Sequence, residues 1–557
     1  MGFMSLDMEA AFDNLSLEYV YKCLSKYGFT PRALNIFQNI YSDAMAMPYV
    51  NGSMGKVILD ETNNLRQGGC GSMEIFIVGV NPLLQLLEAK LIGVTLYSIP
   101  VQGPVRENET PLDPITKTGK VVGFVDDACP IVTSEEEFFT VDQSLQLFEA
   151  SSGCKFHRKP DTQKCKITLY GSWKRRYNQE NIPLSFLQVT DHLEILGIKL
   201  YGNWRSTQRE NGSKVVKKIQ LVSNKWKGGR YYEFLLRPHI VNTYLFSNIW
   251  YVAGVVDLQL GQLDEIQKCG NQYVHSDCFL KPQNIVNYQR KNQMGLGLMN
   301  VRLKALALFI KNIICDANPE SNCYLKAVLD YYCRDIILEQ VPARPSYLTE
   351  KLVNRIKFVL NNCKRLDSKH IYQALLNDEF KTENDFKLKV ELDNPDLKLE
   401  NAVCLTTSKL LSLKVRNTIW KLFHNVVYND IMKGKITNSI PTCQLCGEPD
   451  ADKIHLYFTC EKNNGCGRNF MKIMRTYSQY DENDVLNMKI LEENPKLSWF
   501  AANYLHFVTT KREHCTPEYL KQYLITEFEV FKMSRHCDES MEAELRTMIN
   551  LTVPSDD

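Results

Sequence analysis

The feature that most constrains the fold is the stretch "GKVVGFVDDACPIVTS", which holds two adjacent carboxylates between two runs of apolar residues. Valine-rich runs predict strands, and a polar pair between them predicts a β-hairpin with Asp126 and Asp127 at or near its turn. Adjacent like charges repel, so such a pair is tolerated most easily in water or beside a cation. The stretch alone fits either a solvated turn or a metal site, and the rest of the chain has to supply the partners.

Length and composition indicate a multidomain globular protein. The chain has 557 residues, which favours three or four domains of ordinary size. Hydrophobic residues make up 44% and charged residues 23%, an ordinary balance for a soluble protein. The net charge of +2 excludes no class of partner, but residues 199–237 form a local basic segment.

No membrane segment or secretory signal is predicted. The most apolar stretch, residues 75–87, is interrupted by Asn81 and Pro82 and is shorter than the roughly 18 residues that a spanning helix needs. The N-terminus lacks a basic region followed by an apolar core, so an intracellular location is expected. The 18 cysteines are therefore read as reduced thiols and possible metal ligands.

The pattern of elements predicts the α+β class. Strand and helix patterns mix irregularly up to about residue 200, without the alternation of a doubly wound sheet. From about residue 205 to 435 the periodicity is mostly helical. Strands are predicted at residues 3–8, 121–125, 166–170 and 193–200, and helices at 17–26, 32–41, 73–88, 351–363 and 409–428.

Three acidic or glycine-rich motifs occur in a specific order. In "SLDMEAAFDNL", Asp7 follows a short apolar strand, and "LRQGGCGSMEIF" is a glycine-rich turn that opens a helix. The Asp126–Asp127 hairpin comes third. Carboxylates at the ends of neighbouring strands can converge on one cation, so Asp7 and the acidic pair are candidate ligands of a single site.

With these residues the sequence resembles the reverse transcriptases of non-LTR (LINE-type) retrotransposons. Their first three palm motifs are similar to "LDMEAAFD", "RQGG...SM..F" and "FVDD", and their fourth and fifth to "SSGCKFHRKPDTQKCKI" and "HLEILGIKLYG". "MGLGLMNVRLKALAL" resembles a segment that such elements carry after the thumb. The resemblance covers much of residues 1–310 and implies a right-hand polymerase palm followed by a mostly helical thumb and C-terminal region.

The resemblance also implies an activity and roles for individual residues. The activity is RNA-directed DNA synthesis by two-metal nucleotidyl transfer, with two Mg²⁺ ions, Mn²⁺ being a possible substitute. Asp7 and Asp126 would ligate the metals with Asp127 in support, and Lys164, or alternatively Lys159, would lie near the triphosphate. The nascent base pair and its sugar would contact Phe12, Arg66, Gln67 and Gly68. Taken singly, Phe12 also fits a core aromatic residue and the lysines a solvated face.

The resemblance implies a function for the basic segment at residues 199–237, because this segment follows the palm where polymerases place a thumb. Basic side chains there can neutralise phosphates of a template–primer duplex. The alternative is again a solvated helix face. The candidate nucleic-acid-binding residues are Lys214, Lys217, Lys218, Lys225, Lys227 and Arg230.

A second candidate metal site lies near the C-terminus. Cys443, Cys446, His455 and Cys460 form a C-x2-C-x8-H-x4-C pattern, which supplies the soft ligands of a closed tetrahedral Zn²⁺ site. The alternative is a chance arrangement of cysteines. The resemblance supports a structural zinc knuckle, since this family often carries a CCHC knuckle after the thumb. Cys466 is a spare thiol that could compete for the metal.

The sequence departs from the family pattern in two places. It begins almost at the first catalytic motif, so the fingers are expected to be missing, and Gly69-Cys70-Gly71 stands where many relatives have another sequence. The predicted layout is palm 1–203, thumb 204–310, helical connecting region 311–437, zinc knuckle 438–470 and helical tail 471–557.

Two functions remain open at this point. The first is a reverse transcriptase module that acts on an RNA template, a DNA primer or target and deoxynucleoside triphosphates, in the cytoplasm and nucleus where such elements act. The second is an inactive polymerase remnant that binds RNA or DNA through the thumb and the knuckle. Without fingers to orient the triphosphate, we expect the chain alone to bind template–primer but to extend it negligibly.

Overall fold

A computed structural model gives the fold as two compact units. The first comprises residues Met1–Asn211 and Ile313–Lys357, and the second Gly212–Asn312 and Phe358–Asp557. The structure describes the whole chain except residues 42–44, 48, 56–58, 61–64, 66–68, 70, 100–114, 160–161, 227–231, 277–280, 283, 318–322, 337–340, 381–398, 428, 464, 488–493, 534–536 and 554–557.

The first unit is built on a five-stranded sheet whose central strand is Gly2–Ser5. This strand pairs antiparallel with Asp127–Val132 on one side and with Lys166–Leu169 on the other. Its side chains alternate between buried and half-buried, as one covered sheet face requires. The strand order is Gln188–Thr190, Lys166–Leu169, Gly2–Ser5, Asp127–Val132, Val121–Phe124.

Three helices contribute to the core beside this sheet. Helix Ser72–Lys90 packs against Leu17–Lys26 and Glu136–Ser152. Its residues Phe76 and Leu87 are fully buried. By length and composition alone this helix could cross a membrane, and it is longer than the apolar stretch that the sequence indicated. In the structure its buried residues belong to the core of the first unit.

Short elements complete the first unit. Paired strands are Met8–Glu9 with Lys155–Phe156, Met45–Ala46 with Leu59–Asp60, Tyr49–Val50 with Ser53–Met54, Val94–Ile99 with Ile115–Gly119, and His192–Ile195 with Ile198–Tyr201. The remaining helices of the unit are Ala11–Asn14, Pro31–Tyr41, Trp173–Arg176 and Cys323–Arg334.

Helices make up the second unit. Helix Leu413–Phe423 packs against Pro495–Lys511, which also contacts Pro517–Lys532 and Glu539–Asn550. Trp420 and Trp499 are fully buried among these helices. The other helices, three of which contain a boundary between units, are Trp204–Lys225, Arg237–Ile240, Ser247–Val255, Leu260–Val274, Asn284–Tyr288, Val301–Asp316, Glu350–Asn362, Ser368–Phe380, Leu399–Thr407, Asp430–Thr437, Cys466–Tyr477 and Glu482–Leu486.

The "MGLGL" segment is fixed by its backbone. Gly297 has φ of 68°, and a Cβ on Gly295 would lie 2.1 Å from the carbonyl oxygen of Gln289. The carbonyl oxygen of Met294 lies 2.9 Å from the indole Nε1 of Trp420, which donates to it, and 2.8 Å from the ring Nε2 of His424. Gly295 is therefore required by the close approach of the Gln289 backbone, and Gly297 is favoured by its positive φ.

Most predicted elements are present, with three differences. The strand predicted at residues 193–200 is a hairpin, because Leu196 and Gly197 have φ of 50° and 76° and turn the chain back. The predicted strand at 3–8 ends at Ser5, and the predicted helix at 409–428 is limited to Leu413–Phe423. Helix Leu17–Lys26 has the predicted bounds.

Candidate functional site

The first candidate site is the carboxylate cluster of Asp7, Asp126 and Asp127. The Leu6 N–H donates to the carbonyl oxygen of Ala128 at 3.0 Å, and these two residues form an antiparallel bridge. Asp7 therefore continues beside the strand that Asp127 opens. Asp126 lies in the two-residue turn of the predicted hairpin, whose first residue, Val125, has φ of 56°.

The electrostatics of this cluster favour a cation. Burial raises the pKa of the Asp127 carboxyl, and the negative charges of Asp126 and Asp7 raise it further. Both neighbours are thus close enough to repel it. Carboxylate oxygens are the ligand type that Mg²⁺ takes from proteins, so the chemistry of these residues suits the metal that the resemblance implies, and its binding here stays a prediction.

A lysine and a histidine also lie beside Asp7. The Lys164 ammonium nitrogen lies 3.7 Å from its Oδ2, and the His157 Nε2 lies 3.4 Å from the same atom. The His157 Nδ1 is 3.4 Å from Oε1 of Glu9. Of the two candidate lysines, Lys164 is therefore the one placed at Asp7. His157 and Glu9 were missed from sequence, although both stand inside motifs that the resemblance uses.

The other predicted palm residues have mixed outcomes. The ring of Phe12 stacks on Phe76 with centroids 4.4 Å apart, and it is partly buried against the core. This contact fits the core-aromatic interpretation and leaves the sugar-facing role a prediction. Arg66, Gln67 and Gly68 lie outside the described residues.

The described part of the basic segment forms one helix. Lys214, Lys217, Lys218 and Lys225 are exposed on Trp204–Lys225, whereas Val215 and Ile219 are buried. Spacings of three and four residues place the first three lysines on one face. Lys227 and Arg230 lie outside the described residues.

The second candidate site is the Cys3His cluster. The ligand atoms of Cys443, Cys446, His455 and Cys460 all lie within 4.8 Å of one another. The two sulfurs of Cys443 and Cys460 are 3.7 Å apart, and the Cys446 sulfur is 3.3 Å from the His455 Nε2. Three thiols and an imidazole that converge in this way can hold a structural metal ion such as zinc.

Local backbone structure positions the four ligands. The Gly447 N–H donates to the Cys443 carbonyl oxygen at 2.8 Å, and Gly447 has φ of 81°. The chain therefore makes a tight turn that contains the first two cysteines, and a β-bridge between Thr442 and Pro449 closes this turn. The His455 N–H donates to Oδ1 of Asp452 at 2.7 Å. His455 is also the first residue of the π-helical turn His455–Thr459.

The thiols of the cluster are electrostatically coupled. Burial opposes ionisation of Cys443, but hydrogen bonds from the Cys446 N–H and the His455 ring outweigh it and lower its pKa to about 6. Burial and the neighbouring Cys443 and Cys446 raise the pKa of Cys460 to about 11. A divalent cation would remove this conflict, because it favours all the thiolates together. Cys466 lies outside the cluster and hydrogen-bonds with Cys515 instead.

The fold and sites thus define a mixed α+β protein with a second unit that carries a Cys3His centre. No protein-family model matches the sequence. The chain is similar to the "Transposon TX1 uncharacterized 149 kDa protein" of Xenopus laevis, with 22% identity over 256 residues. The match covers 45% of this chain and 18% of the length of that protein. This weak homology is consistent with a transposon-derived protein.

Proposed function

We propose that the first unit is the palm of a non-LTR retrotransposon reverse transcriptase, which performs RNA-directed DNA synthesis. The observation that carries the proposal is the bridge between Leu6 and Ala128, since it brings Asp7 beside Asp127 in the motif order of that family. Burial raises the pKa of Asp127 and the charges of Asp126 and Asp7 raise it further, and this repulsion supports a cation at this point. The similarity to a transposon protein supports the origin.

In this proposal the residues of the chain position the metal ions and the nucleotide and neutralise charge. Two Mg²⁺ ions, when bound, stabilise the attacking and leaving oxygens of an in-line phosphoryl transfer. Asp7 and Asp126 would hold them, and Asp127 would add negative charge from the start of its strand. Lys164, at 3.7 Å from the Asp7 carboxylate, would neutralise charge on the triphosphate. Phe12, Arg66, Gln67 and Gly68 would contact the incoming nucleotide and its base pair.

The second unit would hold the template–primer. Exposed lysines on helix Trp204–Lys225 can neutralise phosphates of an RNA–DNA duplex. The Cys3His centre would bind one structural Zn²⁺. We propose an RNA template, a DNA primer or target and deoxynucleoside triphosphates as the partners.

Primer extension tests the synthesis proposal. The protein is assayed on an RNA template with a labelled DNA primer, Mg²⁺ and deoxynucleoside triphosphates, both as the 557-residue chain and with any in-frame coding sequence that precedes Met1 in the genome. We expect extension in at least one form and its loss in Asp126→Asn. Asp191→Asn, at an exposed carboxylate of the same unit, is the control.

Extension that persists in Asp126→Asn would contradict the proposed catalytic role, and failure of both forms would favour binding without synthesis. That second candidate rests on the exposed lysines alone, because they need no intact active site. It is tested by template–primer binding at several salt concentrations. Each of Lys217→Ala and Lys218→Ala should lower the salt slope by about one, whereas Lys26→Ala in the first unit should not.

A further inference from the structure

Arg512 reaches the Cys3His centre from a distant part of the chain. It opens the short 3-10 turn Arg512–His514 directly after helix Pro495–Lys511. It is 69 residues from Cys443 in sequence, and no spacing rule for zinc sites connects the two. Its side chain is only 17% exposed, and that of its partner Asp430 only 6%. An ion pair this deeply buried needs good geometry to be stable.

The guanidinium group makes two directed contacts. Its Nη2 donates to the sulfur of Cys443 at 3.0 Å, and its Nη1 donates to Oδ2 of Asp430 at 2.8 Å. The same Asp430 oxygen accepts the N–H of Gln444, the residue after Cys443, at 3.0 Å. Arg512 therefore contacts the side chain of Cys443, the first ligand of the cluster, and Asp430 binds the backbone N–H of the next residue.

We propose that Arg512 is a positioning residue of the metal centre: it fixes the Cys443 sulfur as a structural ligand and keeps that sulfur unreactive. The inference rests on metal binding by the four ligands and is independent of DNA synthesis. Because Arg512 lies beyond the knuckle, the turn that follows helix Pro495–Lys511 becomes part of the metal site.

The charge of the metal cluster explains why a positively charged side chain is suited to position 512. Three thiolates and a divalent ion leave one net negative charge in a largely buried cluster, and the positive charge of Arg512 is shared between this cluster and the carboxylate of Asp430. An N–H donor on a thiolate also withdraws electron density from the sulfur, so Cys443 becomes a poorer nucleophile than a thiolate without one. The planar fork of arginine can serve a sulfur and a carboxylate at once, whereas the point charge of lysine cannot.

Packing links the same helix to the knuckle independently of Arg512. The Tyr457 and Thr509 hydroxyl oxygens are 2.9 Å apart, and the Tyr504 hydroxyl donates to the Tyr457 carbonyl oxygen at 2.5 Å. The rings of Phe470 and Tyr504 stack with centroids 3.8 Å apart. These contacts hold the helix in place in a variant that lacks the arginine, which makes the substitution informative.

The test uses the full chain with Arg512→Lys and Arg512→Met. Zinc affinity is measured by competition with a chromophoric chelator. Loss of partners outside the ligand set typically costs about 10- to 100-fold in metal affinity, and we expect a loss in this range for both variants. Arg512→Lys keeps a cation beside Asp430, so it separates the contact to sulfur from the cost of leaving a buried carboxylate unpaired.

The second readout is the reactivity of each cysteine in the zinc-loaded protein. Iodoacetamide alkylates a thiolate with loss of iodide, and mass spectrometry maps the products. We expect faster alkylation at Cys443 in both variants and unchanged rates at Cys446 and Cys460. A purely structural loosening would accelerate all three and would contradict the proposal.

Arg475→Lys and Arg475→Met are the controls, because Arg475 pairs with Glu482 on the surface of the same unit and should leave zinc affinity and alkylation unchanged. Arg512 variants with the affinity and Cys443 reactivity of the parent chain would overturn the proposal. A parent chain that takes up no zinc would instead contradict the metal centre itself, so the two failures are distinguishable.

Discussion

The carboxylate cluster and the Cys3His cluster differ in how the chain assembles them. The four soft ligands come from one segment, with Cys443 and Cys460 separated by 17 residues, and tight turns inside that segment aim them at one point. Asp7 and the Asp126–Asp127 pair come from distant segments and meet only because strand Gly2–Ser5 pairs with Asp127–Val132. A local site can be predicted from the spacing of its ligands. A site that is formed by sheet pairing can be predicted only from the order of whole motifs along the chain.

The two clusters also differ in their state without a cation. The thiols of the Cys3His site can stay partly protonated, as the raised pKa of Cys460 indicates. In the carboxylate cluster, burial raises the pKa of Asp127, and the negative charges of Asp126 and Asp7 raise it further. We therefore expect metal binding to stabilise the fold of the second unit, and the proposed metal of the first unit to act in catalysis.

The largest expected effect comes from removing a zinc ligand. Cys446→Ser or His455→Ala should reduce bound zinc from one ion per chain to almost none and should destabilise the second unit. Small zinc domains gain on the order of 10 kcal/mol from the metal, and we expect a loss of at least about 3 kcal/mol here because packing retains part of the fold. Metal analysis and urea unfolding measure both quantities.

Cys404→Ser is the control for these ligand variants, since Cys404 is an exposed thiol of the same unit. Zinc content equal to that of the parent chain in both ligand variants would contradict the structural metal site on which the comparison of the two clusters rests.

Acid should weaken the second unit through its buried histidines. Burial lowers the pKa of His506 and of His424 to about 4, below the usual value near 6.5, so both are neutral in the folded protein. Their contribution to stability is complete above pH 6.5 and is lost as the pH falls towards 4, because the unfolded chain binds protons first. At about 1.4 kcal/mol per pKa unit, each contributes on the order of 3 kcal/mol over this interval.

Hydrogen exchange in helix Pro495–Lys511 between pH 7 and pH 4.5, corrected for the intrinsic pH dependence of amide exchange, measures this loss. His506→Gln should flatten the pH dependence, whereas His514→Gln, at an exposed position, should not. A helix equally protected at both pH values would argue against the buried neutral histidines.

Close packing of the knuckle against the following helix gives a smaller effect. A Cβ on Gly467 would lie 2.1 Å from the carbonyl oxygen of Phe458, and a backbone atom cannot move aside as a side chain can. Gly467→Ala should lower the unfolding free energy by about 1–3 kcal/mol. Gly261→Ala, where a Cβ meets nothing within 4 Å in helix Leu260–Val274, should instead be neutral or stabilise the chain by up to about 1 kcal/mol. Thermal unfolding of the two variants with equal stability changes would contradict this account.

The smallest effect distinguishes the carboxylates from the thiols most directly. In metal-free buffer, Asp127→Asn should raise the stability of the first unit by a few tenths of a kcal/mol, since it removes a repulsion that water partly screens. The same variant should lose stabilisation by Mn²⁺, while Asp191→Asn should behave as the parent chain in both buffers. Thermal unfolding with and without Mn²⁺ tests this, and destabilisation of Asp127→Asn in the metal-free buffer would show that the repulsion is not a cost.

Much of the local structure could be predicted from sequence. Helix Leu17–Lys26 and the Asp126–Asp127 hairpin follow from period and turn chemistry, which act over a few residues. Helix Ser72–Lys90 was predicted at residues 73–88, within two residues of its observed bounds, although it contains Asn81 and Pro82. The hairpin at Leu196 was missed because its turn requires positive φ at a leucine, which propensity alone disfavours.

The sequence by itself determined the α+β class, the order of the palm-like motifs and the four ligands of the Cys3His cluster, because each depends on residue types at short fixed spacings. Only the tertiary structure decided that Lys164 rather than Lys159 lies at Asp7, that His157 joins Asp7 to Glu9, and that Arg512 donates to Cys443. The physical reason is distance along the chain. Contacts between remote segments are selected by the packing of the whole unit, and no local pattern of residue types encodes which charged side chain will reach a given site.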